Sequence, residues 1–67
     1  MDKWLVRAEC ELANEHINES IESVWEAIDE QTEYGNIKGV ENLQAKLVSL
    51  KENYKKNEEI IKIYSKF

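Results

Sequence analysis

The apolar residues of this chain recur every three or four positions, which is the spacing of one face of an α-helix. In the first half the series is Val6, Cys10, Ala13, Ile17, Ile21, Val24 and Ile28. In the second half it is Val40, Leu43, Leu47, Leu50, Tyr54, Asn57, Ile61 and Tyr64, with strictly alternating steps of three and four. Such alternation is typical of a coiled-coil seam. The pattern predicts two long helices that face each other along these two series, which we call the seam.

The stretch YGNIKG at residues 34–39 is the strongest break in this pattern. Gly35 can adopt the left-handed conformation that ends a helix, and Asn36 can cap the next helix. Asp2 is the corresponding candidate cap for the first helix. We therefore predict an all-α fold in which helices over residues 3–34 and 37–66 form an antiparallel hairpin. Residues 1–67 form a single domain in this interpretation.

Asn57 is the one polar residue in the second seam series, and the predicted register places it opposite Ile17. A polar residue at such a position can fix register or oligomeric state at some cost in stability. Alternatively, its side chain turns to the edge of the seam and reaches water. The sequence leaves both interpretations open.

Additional apolar residues lie off the seam at the start of the first helix and at the end of the second. In an antiparallel hairpin both groups lie at the open end, away from the turn. We call this set the open-end patch. It comprises Trp4, Leu5, Ala8, Leu12, Ile60, Ile63 and Phe67. Because one seam buries little apolar surface in so short a chain, we expect a second copy to cover the patch and complete a four-helix bundle.

Charge divides the chain into two unlike halves. The formal net charge is −5, with a balance of −8 over residues 1–34 and +3 over residues 35–67. We call one row of acids on the outer side of the first helix the glutamate stripe. It comprises Glu15, Glu19, Glu22, Glu26, Glu30 and Glu33. The stripe is interpreted either as a solvated face or as a surface that occupies a basic groove on a nucleic-acid-binding protein.

The plasmid regulator Rop builds a four-helix bundle from two hairpins of this kind. The likeness is one of architecture only, without a shared residue motif. An RNA-binding hairpin dimer of the Rop type would use a row of lysines on the second helix. These are Lys51, Lys55, Lys62 and Lys66. The acidic first helix opposes nucleic-acid binding, so this hypothesis ranks last.

The sequence offers little for catalysis or metal binding. His16 is the single histidine and is interpreted as solvated, while Cys10 falls on the seam and is interpreted as a buried structural thiol. Trp25 lies at the border of the seam, where we expect it to form the edge of the core rather than an exposed contact point. No set of nucleophile, base and carboxylate can be assembled. We therefore expect a protein that is not an enzyme and that holds no cofactor or metal.

No apolar run is long enough for a membrane span, and charged residues interrupt the N-terminal segment where a signal peptide would need an apolar core. A single cysteine favours the reducing cytoplasm. Our functional hypothesis is a small regulator, adaptor or inhibitor that acts through the open-end patch, most simply as a homodimer. The alternatives are inhibition through the glutamate stripe and Rop-like RNA binding.

Overall fold

A computed structural model describes residues 2–66 of the chain. Two α-helices, α1 at Lys3–Glu33 and α2 at Ile37–Tyr64, account for nearly all of this range, and no strand occurs within it. The helices pack side by side as an antiparallel hairpin of 50 × 15 × 14 Å. The predicted all-α hairpin is confirmed. The helices end one and two residues before the predicted ends, and residues 65 and 66 form a turn.

The first helix ends in a Schellman motif. The N–H of Asn36 donates to the Gln31 carbonyl oxygen at 2.9 Å, and the N–H of Gly35 donates to the Thr32 carbonyl oxygen at 3.1 Å. Gly35 has a φ of +70°, the left-handed conformation that was predicted for it. The side chain of Asn36 also donates to Gln31 Oε1 at 2.8 Å. This side-chain bond takes the place of the apolar contact that often accompanies the motif.

Asn36 also begins the second helix, as the sequence predicted. Its Oδ1 accepts a hydrogen bond from the N–H of Gly39 at 3.0 Å, which satisfies one of the free donors at the helix start. A Cβ atom at Gly39 would lie 2.7 Å from Asn36 Nδ2. The cap in its present conformation therefore depends on glycine at position 39.

Asp2 occupies the N-cap position of α1, but its side chain forms no capping hydrogen bond. The predicted cap position is therefore confirmed, but no capping hydrogen bond of the side chain accompanies it. The backbone carbonyl oxygen of Asp2 accepts instead from the N–H groups of Leu5 and Val6, at 3.1 and 3.2 Å. These bonds continue the helical pattern without any contribution from the carboxylate.

The apolar core is small and lies in the half of the hairpin next to the turn. Val24, Ile28 and Leu47 are its buried members. Four partly buried side chains pack around them: Ile21, Val40, Leu43 and Leu50. Among residues 2–66 no side chain is buried beyond 98%. A single pair of helices thus shields its seam without enclosing any residue completely.

A hydrogen-bonded pair of asparagines crosses the seam between this core and the open end. Asn57 Nδ2 donates to Asn14 Oδ1 at 3.0 Å, and Asn14 Nδ2 donates to the Tyr54 carbonyl oxygen at 3.4 Å. Asn14 is only 6% exposed. Asn57 therefore points into the seam, and its hydrogen-bond partner is Asn14 rather than the water of the second interpretation. The predicted neighbour Ile17 lies one turn further along α1.

Candidate interaction surface

The apolar side chains of the open-end patch face solvent in the single chain. Trp4 is 65% exposed and Ile63 is 56% exposed, and Leu5, Ala8 and Leu12 are also exposed. Ile60 is partly buried. The remaining predicted member, Phe67, lies outside the described residues. These side chains contribute little to the packing of one hairpin against itself.

The asparagine pair shows that the two parts of the open-end patch lie at the same height along the hairpin. Leu12 precedes Asn14 by two residues, and Ile60 follows Asn57 by three residues on the antiparallel helix. Both therefore lie just beyond the pair on the side of the open end. The structure thus brings the two sequence-distant groups to one end of the molecule, as the hairpin topology predicts.

The hairpin exposes more surface than a compact protein of its mass. Its accessible surface is 5379 Å², whereas the mass scaling for folded monomers gives about 4,400 Å² for 7.9 kDa. Its radius of gyration is 15.3 Å, against about 11 Å for a compact domain of this length. The surplus of roughly 1,000 Å² is close to the ~800 Å² that one partner contributes to a standard protein interface.

The turn end carries exposed apolar side chains that the sequence reasoning did not single out. Tyr34 is 76% exposed and Ile37 is 74% exposed, whereas the exposed Val48 lies further along α2, toward the middle of the hairpin. Beside Ile37 lies an open cleft of about 320 Å³ whose floor includes Thr32 and Val40. Tyr34 and Ile37 both lie off the seam series. Because each is a single apolar residue between polar or small neighbours, the periodic pattern did not point to them.

A second groove lies alongside the middle of the hairpin. It has a volume of about 450 Å³ and is lined by His16, Glu19, Ser20, Ser23, Val24 and Lys46. His16 is exposed, which agrees with the interpretation of a solvated histidine. Within residues 2–66 no group of three or more histidine, cysteine, aspartate or glutamate residues could hold a metal ion.

The six residues of the glutamate stripe are all exposed. None of them forms a salt bridge with another residue of the described range. The pair of Arg7 and Glu11, 3.7 Å apart on adjacent turns of α1, lies outside the stripe. This arrangement is that of an ordinary solvated helix face, and it also leaves the stripe free to meet a basic surface.

The predicted lysine row is exposed, with Lys51, Lys55 and Lys62 on α2 and Lys66 in the turn after it. An aromatic ring contacts the first member of the row. Lys51 Nζ lies 5.9 Å from the centre of the Trp25 ring. Trp25 is 48% exposed, so about half of its side chain meets solvent. The pair joins α1 to α2 on the outside of the seam through a cation–π contact.

Cys10 is a free thiol and is partly rather than fully buried, which corrects the expectation of a buried residue. It lies in the loosely packed part of the seam, beyond the asparagine pair.

Neither helix within residues 2–66 combines the length and the apolar character that a membrane span requires. Comparisons with family models, with curated proteins and with solved structures find no match to this chain.

Proposed function

We propose that the chain is a non-enzymatic protein–protein interaction module that pairs with a second copy of itself through the open-end patch. The observation that carries the proposal is the exposure of this patch. The hairpin has roughly 1,000 Å² more accessible surface than a compact folded monomer of the same mass. Pairing two hairpins would produce a four-helix bundle, in which apolar surface of each copy covers the other. The assembled bundle would then act as a small regulator or adaptor.

The loose packing of the open half supports this proposal. Val6, Cys10, Ile61 and Tyr64 lie on the seam there, yet each is only partly buried. A second hairpin laid over this half would remove both these side chains and the patch from water. Burial of apolar surface contributes about 25 cal/mol per Å². The same burial is the main favourable contribution available to a hairpin in which no side chain of residues 2–66 is completely enclosed.

Substitution of Ile63 by aspartate tests the patch. A carboxylate placed between two copies would have to lose its water without gaining a partner, which costs several kcal/mol. Because Ile63 is 56% exposed in one hairpin, the same change removes few contacts within the chain. We expect Ile63→Asp to yield a monomer that keeps most of its helical circular dichroism signal.

Two control variants make this experiment specific. Gln44→Asp adds the same charge at an exposed position of α2 that lies on another side of the helix from Ile63, and we expect it to keep the mass of the wild type. Ile21→Asp places the charge against the core and should unfold the hairpin. If Ile63→Asp leaves mass, helicity and partner binding unchanged, the patch is merely exposed and the proposal fails.

The alternative function is inhibition of a nucleic-acid-binding protein through the glutamate stripe. Its support is the exposure of all six carboxylates without salt bridges in the described range. Binding of this kind would weaken steeply as salt rises, because surface charges are screened over about 8 Å at 0.15 M ionic strength. Contact through the open-end patch would keep its affinity. RNA binding by the lysine row comes last, since the net charge of −5 opposes it.

A further inference from the structure

We infer that the two hairpins align with both turns at the same end, so that α1 of each copy packs against α2 of the other. This inference rests on the proposed self-association and specifies the surface that each helix takes. Two-fold symmetry is the commonest symmetry of small oligomers, and two arrangements of the hairpins satisfy it. The inference selects one of these two arrangements.

The two arrangements differ in which helices become neighbours. If the two-fold axis runs along the bundle, both turns lie at one end, and α1 of one copy faces α2 of the other. If the axis runs across the bundle, the turns lie at opposite ends, and each helix faces its own copy. The antiparallel course of α1 and α2 within one hairpin makes all facing helices antiparallel in both cases.

Charge favours the first arrangement. Within α1 nine acidic residues stand against two basic ones, a balance of −7, whereas α2 has six lysines and four glutamates, a balance of +2. Facing α1 with α1 would bring two strongly negative helices within about 8–10 Å, the usual distance between packed helix axes. Facing α1 with α2 replaces this repulsion by attraction across both new interfaces.

The position of the apolar surface favours the same choice. Aligned open ends bring the two copies of the patch together, and Leu12 of one copy then lies at the height of Ile60 of the other, as it does within one chain. The exposed Tyr34 and Ile37 at the turn likewise meet their own copies at the other end. Each apolar end thus covers its equivalent, while the middle with its serine-lined groove lies between them.

Distances between spin labels on the two copies test the inference. Cys10→Ser removes the native thiol, and a single new cysteine carries a nitroxide label either at the turn end, in Lys38→Cys, or near mid-height, in Glu52→Cys. Both positions are exposed. Pulsed electron double resonance then measures the label-to-label distance in each symmetric dimer, and sedimentation of the same labelled samples gives their mass.

With the turns at the same end, we expect label distances below roughly 35 Å at both positions, since helix axes pack about 8–10 Å apart. With the turns at opposite ends, the Glu52→Cys distance stays short. The Lys38→Cys distance then exceeds roughly 40 Å, because about 14 residues at 1.5 Å rise separate the turn from mid-height in each copy. A dimeric mass with the long Lys38→Cys distance overturns the inference and leaves the proposed pairing intact. A monomeric mass overturns both.

Discussion

Asn14 and Asn57 form the most specific contact between the two helices at the scale of single residues. An isolated buried amide would cost free energy, and here each amide supplies the partner that the other needs. The Tyr54 carbonyl oxygen accepts the second hydrogen bond of Asn14. Because the pair is satisfied in only one alignment of α1 against α2, it selects the register of the hairpin and opposes a slide of one turn.

Replacing one member of the pair should destabilise the hairpin more than replacing both. In Asn57→Leu the Oδ1 atom of Asn14 is left buried without its donor, and such a group costs about 1–3 kcal/mol. In Asn14→Leu/Asn57→Leu no unpaired amide remains, and two leucines extend the apolar seam. We expect the double variant to unfold at higher urea concentration than either single variant.

A double-mutant cycle from urea denaturation curves measures this coupling. The single variants Asn14→Leu and Asn57→Leu serve as the matched controls. Strictly additive changes in the free energy of unfolding would contradict a direct interaction between the two amides.

At the scale of elements, a short segment around Gly35 and Asn36 determines where α1 stops and α2 starts. Gly35 supplies the left-handed conformation, and Asn36 closes the Schellman motif of α1 while it caps α2. Thr32 adds a hydrogen bond from its hydroxyl to the Ile28 carbonyl oxygen at 2.7 Å. The turn thereby satisfies backbone groups of both helix ends without a long loop, which keeps the helices antiparallel and adjacent.

Gly35→Ala should lower the stability of the hairpin. A side chain at a φ of +70° is strained by about 1–2 kcal/mol, although nothing within 4 Å blocks a Cβ atom there. For a domain of this size, 1 kcal/mol corresponds to a decrease of about 4–8 °C in melting temperature. Thermal denaturation followed by circular dichroism measures the change. An unchanged melting temperature would show that the turn tolerates another conformation.

Gly39→Ala should have little net effect on stability in the presence of the Asn36 cap and should stabilise the hairpin in its absence. Alanine gains about 1 kcal/mol over glycine in a helix. In the wild type this gain is offset, because the new Cβ lies 2.7 Å from Asn36 Nδ2 and displaces a cap worth about 1 kcal/mol. In the Asn36→Ala background the gain remains in full.

Denaturation of the four combinations of Asn36→Ala and Gly39→Ala therefore gives a coupling of about 1 kcal/mol. Equal effects of Gly39→Ala in both backgrounds would mean that the contact between glycine and cap is not what decides the preference at position 39.

The two helices and the turn could be predicted because the residues that determine them act on close neighbours in the sequence. Contacts between residues far apart in the sequence could not be predicted. Gly35 and Asn36 act on neighbours within five residues, so their roles follow from residue type alone. Asn14 escaped notice because asparagine in a helix normally points outward, and its partner lies 43 positions away. Asp2 was the right residue for the N-cap position, but the sequence does not reveal whether a cap's side chain or only its carbonyl group is used.

The open-end patch could be located from the sequence because its position depends only on the two helices and the short turn between them. Once two helices and a short turn are given, the antiparallel course alone brings residue 12 beside residue 60. The apolar turn end with Tyr34 and Ile37 was missed, since neither residue belongs to a periodic series.

At the scale of the whole molecule, stability and assembly are expected to be coupled. The single chain encloses no side chain completely among residues 2–66, and it exposes far more surface than a compact domain of equal mass. If a second copy covers part of this surface, the free energy of association adds to the stability of the folded chain. That stability then depends on protein concentration.

The melting temperature should therefore rise as protein concentration increases. Association that binds only folded chains stabilises them by mass action. Circular dichroism melts over a hundredfold range of concentration provide the measurement, with Ile63→Asp as the control that should show no such dependence. A wild-type melting temperature that is constant across the range would indicate a hairpin that is stable alone.

Sedimentation equilibrium at micromolar concentration measures whether the hairpin pairs with a second copy. We expect a mass of twice the 7.9 kDa of one chain, shifting toward the single-chain mass on dilution. A constant mass of 7.9 kDa together with a cooperative thermal unfolding transition would contradict it, because one hairpin would then be a complete folded unit.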